Sequence, residues 1–163
     1  MTVANPLSKT ESSRLVVDAS VVIKWHVPEI YTDEARKLLR DDGPILHVPD
    51  LMFTEVGNIL WKKIGRQELT KNQVRMFAHI ISDAPVEVHA AAPLLEAAVE
   101  IAMDTGRTVY DSLYLALAVQ LNCRLVTADS KLLNSLIGGP LSSHILWIGD
   151  DFKVSLAPVE DVE

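Results

Sequence analysis

Short apolar runs recur along this chain, and stretches with helical periodicity fill the spaces between them. The first run lies in Arg14–Asp18 and is β-branched with no polar alternation. That pattern fits a strand buried on both faces of a parallel sheet. Further strands are expected over Ile45–Val48, Val86–Val88, Arg124–Thr127 and His144–Ile148. Between them, Tyr31–Asp42 sets Ala35, Leu38 and Leu39 on one helical face and Arg36, Lys37 and Arg40 on another, and Gly43-Pro44 ends it. Helices also follow over Leu51–Ile64, from the cap Thr70 to Ser82, over Ala92–Met103, over the nearly all-apolar Tyr110–Leu121, and over Ser130–Leu136. Strands alternating with helices predict an α/β fold. Right-handed crossovers then place helices on both faces of a parallel sheet of about five strands, a three-layer α/β/α sandwich.

The chain's 163 residues support one domain with a real core. The expected organisation is an unstructured lead over 1–13, the domain over 14–150 and a tail over 151–163. One cysteine, Cys123, excludes an internal disulfide and a cysteine-built zinc site. No basic patch followed by an apolar core marks a signal peptide in Met1–Ser13, and no apolar window approaches membrane-spanning length. A cytoplasmic protein without membrane association is the expectation.

The formal charge is −7, which argues against gripping nucleic acid by bulk charge. Its distribution changes the argument. Glu160, Asp161 and Glu163 sit in the last four residues, and four more acids, Asp18, Glu55, Asp111 and Asp129, are expected to face one another. The rest of the chain is charge-balanced. A polyanionic partner is therefore allowed once cations neutralise the cluster.

In parallel α/β sheets, function gathers beyond the carboxyl ends of the strands. Asp18 ends the first strand, and Asp129 lies two residues past the fourth. Glu55 falls early in the helix after the second strand, and Asp111 near the start of the apolar helix that leads into the fourth. All four are thus directed to one rim. Crowded carboxylates raise one another's pKa, and a divalent cation resolves the conflict. Oxygen donors with no cysteine and no well-spaced histidine select Mg²⁺ or Mn²⁺ over zinc. Such an ion eases deprotonation of water and stabilises charge on a phosphate under attack, the chemistry of phosphodiester hydrolysis. Each acid also has a plainer use: solvation at a strand end for Asp18, dipole complementation for Glu55, and helix capping for Asp111 and Asp129.

Four segments in register resemble the PIN-domain family, and within it the VapC-like toxins of toxin–antitoxin pairs. They are Val16-Val-Asp18-Ala-Ser20-Val-Val-Ile-Lys24-Trp25, Pro49-Asp-Leu-Met-Phe-Thr-Glu55-Val-Gly-Asn58, Thr108-Val-Tyr-Asp111-Ser-Leu-Tyr-Leu-Ala-Leu-Ala118 and Leu125-Val-Thr127-Ala-Asp129-Ser-Lys-Leu. The resemblance spans about residues 14 to 148. It implies a metal-dependent ribonuclease on a PIN-like sandwich, with the motif acids at Asp18, Glu55, Asp111 and Asp129 and hydroxyls near the metal at Ser20 and Thr127. Asp18 and Asp111 would hold Mg²⁺ or Mn²⁺ directly, and Glu55 and Asp129 directly or through water. Glu55 or Asp129 would orient the attacking water. An extra acid before the third motif contributes in some members, and Asp104 stands near that place, seven residues before Asp111.

Asn58, one helical turn after Glu55, either orients it or ties the helix to a neighbouring loop. Ser20 and Thr127 have the alternative uses of capping a turn and satisfying a strand-end backbone group. Lys62 and Arg66 follow Glu55 on its helix, and Lys24, Arg107 and Lys131 flank the motifs. These five are candidate RNA phosphate contacts, against ordinary solvated surface charge. The resemblance also implies homodimerisation and a small VapB-like antitoxin whose C-terminal segment covers the acidic pocket. Trp25, Trp61 and the apolar faces of Leu51–Ile64 and Val74–Ile81 offer surface for such contacts, or are simply core. The competing reading is a PIN-fold module that binds RNA or protein without catalysis. Haloacid-dehalogenase chemistry wants a second Asp where Ser20 stands, and a receiver domain wants paired early acids that the first strand lacks.

Overall fold

A computed structural model of the chain describes residues 14–150. The expected lead over 1–13 and tail over 151–163, with Glu160, Asp161 and Glu163, lie outside the described residues. Five strands form one sheet: β1 (Arg14–Val17), β2 (Ile45–Pro49), β3 (Glu87–His89), β4 (Arg124–Thr127) and β5 (Ile145–Trp147). Their order is β3-β2-β1-β4-β5, and every pairing is parallel. The helices are α1 (Ala19–Val22), α2 (Thr32–Lys37), α3 (Leu51–Gly65), α4 (Lys71–Ser82), α5 (Leu95–Thr105), α6 (Val109–Gln120) and α7 (Ser130–Leu136). Short 3₁₀ turns cover Ile23–Trp25, Ala92–Leu94 and Ser142–His144. The expected α/β/α sandwich is what the chain forms.

The strand order fixes where a ligand can sit. From β1 the chain steps outward through β2 to β3, then returns to lay β4 on the other side of β1. The reversal opens a crevice beyond the carboxyl ends of β1 and β4. Burial on both sheet faces explains the lack of alternation: Val16, Val17, Leu125 and Val126 are wholly buried. α6 is buried from Ser112 to Ala118 and packs on α5 and on the three middle strands. Such a helix has no polar face to show solvent, which is why its sequence is apolar all round.

Local signals act as expected. Thr70 and Gln73 form a reciprocal capping box at α4. Gly106 takes a left-handed φ of 68° to end α5, a conformation that suits glycine. Thr108 then caps α6 by accepting from the Asp111 N–H. The helix expected over Tyr31–Asp42 is shorter. Tyr31 itself has a left-handed φ of 69°, and beyond Lys37 the bonds tighten to three-residue turns (Leu38 N–H to Ala35 O, Leu39 N–H to Arg36 O). Its first turns are fixed from outside, since the Trp25 indole donates to Ala35 O and Arg36 Nε donates to Trp25 O. Trp25 is therefore core rather than docking surface, whereas Trp61 on α3 and Met76 and Ile80 on α4 are exposed.

Leu117 on α6 is fully buried, and Val119 two residues on is 41% exposed. Leu117→Ala should cost about 2–5 kcal/mol of unfolding free energy. Val119→Ala should cost less than about 1 kcal/mol. Urea melts of the two variants check the assigned burial.

Candidate active site

Asp18 follows β1 directly and caps α1. Its Oδ1 accepts from the Ser20 N–H (2.9 Å), the Val21 N–H (3.2 Å) and the Ser20 hydroxyl (2.5 Å). Its Oδ2 accepts from the Thr127 hydroxyl at the end of β4 (2.5 Å). The same two hydroxyls accept in turn, Ser20 Oγ from Ala128 N–H and Thr127 Oγ1 from Asp129 N–H, both at 3.0 Å. Residues more than a hundred positions apart are thereby locked together across the β1–β4 seam. Asp18 is only 7% exposed. Burial pushes its carboxyl up to about 6, against the opposing pull of its hydrogen bonds.

Glu55 projects from α3 and accepts from the Tyr114 hydroxyl (2.5 Å). Burial raises its pKa, the Tyr114 bond opposes this, and the charge of Asp111 adds to the rise. Tyr114 is buried on α6, and its phenol is pushed upward by burial and by the Glu55 carboxylate, so it stays a donor. Sequence reasoning missed this residue. Its spacing of three from Asp111, on one face of α6, was the signal available.

Asp111 and Asp129 share a cation. Arg107 lies 3.0 Å from Asp111 Oδ2 and 3.8 Å from Asp129 Oδ2. Asp129 also caps α7 through the Lys131 and Leu132 N–H groups. Asp18 and Asp129 thus cap helices, the plainer use open to them, and both line the crevice.

All four acids line one hollow of about 450 Å³, with Ser20, Asn58, Lys62, Tyr110 and Tyr114. They do not close on one another as tightly as a protein cage would. Among the described residues, the trio with ligand atoms all within 4.8 Å is His47, Glu87 and His89, on β2 and the edge strand β3. Thr127 supports the hollow from beneath through Asp18. Asn58 is exposed in its wall. Asp104 is exposed on α5 and is not part of the lining.

The expected cationic residues divide. Lys62 lines the hollow, and Lys131 is exposed beside Asp129. Lys24 is not at the surface: it is 9% exposed and paired with Glu29 at 2.8 Å. Glu29 also holds Lys63 (2.6 Å), and Lys63 reaches the exposed Glu68 (2.7 Å), so an ion network anchored on two buried lysines consumes that charge. Arg66 borders a separate hollow of about 630 Å³ between α3 and α4. Eleven residues carry a helix about 20° beyond three full turns, but Arg66 is already past the end of α3. Arg107 is turned inward onto the acids.

The PIN-domain family model matches residues 15–135. The chain is 34% identical over 121 residues to ribonuclease VapC3 of Pyrobaculum aerophilum, covering 73% of this chain and 92% of that protein. It is 32% identical over 118 residues to ribonuclease VapC9 of Mycobacterium tuberculosis, covering 72% and 87%. Among solved structures, PAE2754 from P. aerophilum superposes with a TM-score of 0.61 at 22% identity, over 96% of each chain. VapC20 of M. tuberculosis, a sarcin-ricin loop cleaving toxin, superposes with a TM-score of 0.58 at 17% identity, over 77% of this chain and 95% of that one. A family-model match over residues 15–135, with relatives at 32–34% identity over more than two thirds of the chain, makes this chain a member of the PIN-domain family.

Proposed function

We propose that this chain is a metal-dependent endoribonuclease, the toxin of a toxin–antitoxin pair. The observation that carries the reading is the meeting of Asp18, Glu55, Asp111 and Asp129 on one hollow at the carboxyl rim of the sheet. Relatives named as VapC ribonucleases support the activity, and a toxin–antitoxin complex from Klebsiella pneumoniae shares the fold at a TM-score of 0.56 and 15% identity.

The donor set fits a hard divalent cation. Carboxylates and hydroxyls line the hollow, with no cysteine or histidine among them. A carboxylate whose pKa is raised by burial lacks countercharge, and Asp18 is such a group. Asp18 and Asp111 would hold Mg²⁺ or Mn²⁺ directly, with Glu55 and Asp129 direct or through water. Mg²⁺ commonly takes one or two carboxylates and keeps its waters, so the open spacing of these acids suits it. When bound, the ion supplies positive charge at the scissile phosphate and lowers the pKa of nearby water.

The chain's own residues do the rest. Glu55 is the group best placed to orient the attacking water and accept its proton. The Tyr114 hydroxyl fixes its carboxylate, and burial raises its basicity. Ser20 and Thr127 hold Asp18 in one orientation. Lys62 and Lys131 are the cations available to RNA phosphates at the rim. The same reading gives the protein a VapB-like antitoxin, a homodimeric state and a cytoplasmic setting. Trp61, Met76 and Ile80 support the first two as apolar surface left uncovered.

Single-stranded RNA should be cut in the presence of Mn²⁺ or Mg²⁺ and spared after chelation, and Asp111→Asn should lower the rate by at least about a hundredfold. RNA binding that persists in wild type without any cutting would leave the non-catalytic module as the correct reading.

Asp18 also has a signature that needs no substrate. A carboxyl raised on folding from 3.8 to about 6 favours the folded state most below pH 4, and that advantage is lost as pH climbs through 6. The shift is worth about 3 kcal/mol. In metal-free protein, the stability of Asp18→Asn relative to wild type should therefore improve by about 2.5 kcal/mol between pH 4 and pH 7.5. Denaturant melts at the two pH values read it, and a pH-independent difference would contradict the assigned burial.

Arg107 gives a third outcome. If its charge serves the acids rather than RNA, Arg107→Ala should tighten Mn²⁺ binding several-fold by removing a competing cation. A titration showing unchanged Mn²⁺ affinity, with weakened RNA binding alone, would return Arg107 to the substrate surface.

A further inference from the structure

A second group of ligand atoms lies away from the acidic hollow. His47 stands opposite Glu87 in the β2–β3 register, and His89 follows Glu87 by two residues on β3. The three side chains therefore share one face of the sheet. His47 Nδ1 is 3.0 Å from His89 Nε2 and 3.4 Å from Glu87 Oε2. A tetrahedral ion with bonds of 2.0–2.1 Å needs donor atoms about 3.3 Å apart. All three donor atoms lie within 4.8 Å of one another.

We propose that His47, Glu87 and His89 form a binding site for one divalent transition-metal ion of the zinc class. Two imidazoles and one carboxylate suit zinc, and also cobalt or nickel, rather than Mg²⁺. His47 is buried on the sheet while Glu87 is exposed, so the trio is anchored on one side and open to water on the other.

The site would act as a clip on the sheet's edge. β3 has only three residues, two of them exposed, and its ladder bonds go to β2. Its end is already tied to the start of α3, because Asp50 N–H donates to His89 O (2.8 Å) and Ala91 N–H to Asp50 Oδ1 (3.2 Å). Metal across His47, Glu87 and His89 would fix β3 to β2 at the point where the Glu55-bearing helix departs.

The test is a Co²⁺ titration of the full chain with excess Mg²⁺ present, followed by visible absorption. Wild type should develop the d–d band of a four-coordinate ion, which one equivalent of Zn²⁺ abolishes. His89→Gln should lose the band and bind Zn²⁺ roughly tenfold or more weakly. Asp18→Asn, whose change lies in the other hollow, should keep the band. Far-ultraviolet dichroism confirms that each variant is folded, and His47→Gln replaces His89→Gln if the latter is not. A wild type without the band, or a folded His89→Gln or His47→Gln that keeps it at wild-type affinity, overturns the proposal. So does loss of the band in Asp18→Asn.

Discussion

Asp18 carries a charge to a place where a polypeptide resists one, the buried end of a central parallel strand. Five strands, two helical layers and the order of their connections all bear on that position. The backbone turns there from β1 into α1, and the carboxylate accepts the amides that the new helix leaves unpaired. It also accepts a hydroxyl from β4, so the capping group of one element is the seam between two others. Four hydrogen bonds do not cancel the cost of burial, since the carboxyl still sits near 6. That residual deficit of positive charge is what a cation bound in the crevice would answer.

Arg107 answers part of that deficit in the absence of metal. It stands between Asp111 and Asp129, just after the left-handed Gly106 that ends α5. Its backbone placement follows from the tight link between α5 and α6, and its guanidinium follows the field of the acids. The network of Lys24, Glu29, Lys63 and Glu68 shows the same logic elsewhere, with two buried lysines paired to carboxylates. In the proposed ribonuclease, Lys62 and Lys131 are the cations that remain at the rim.

Much of this was legible in the sequence. The unalternating run at Leu15–Val17 announced a strand covered on both faces, and the all-apolar helix after Asp111 announced its own burial. Strand ends located Asp18 and Asp129, and helix starts located Glu55 and Asp111. What sequence could not give was where long side chains turn. Lys24 and Arg107 flank motif segments in the chain, yet folding bent both inward to carboxylates. Tyr114 looked like one more core residue of an apolar helix, although its hydroxyl reaches across to α3. Forty-two positions separate His47 from His89, and only the β2–β3 register makes them neighbours.

The β1–β4 seam has a consequence for how such a protein is born. A ribosome releases β1 first, and Asp18 emerges long before its partner Thr127. Until β4 has left the exit tunnel and docked, the crevice has one wall and two of its acids have no fixed address. For the proposed ribonuclease, a chain cut short before β4 would lack this seam, and with it the fixed Asp18 carboxylate that the chemistry needs.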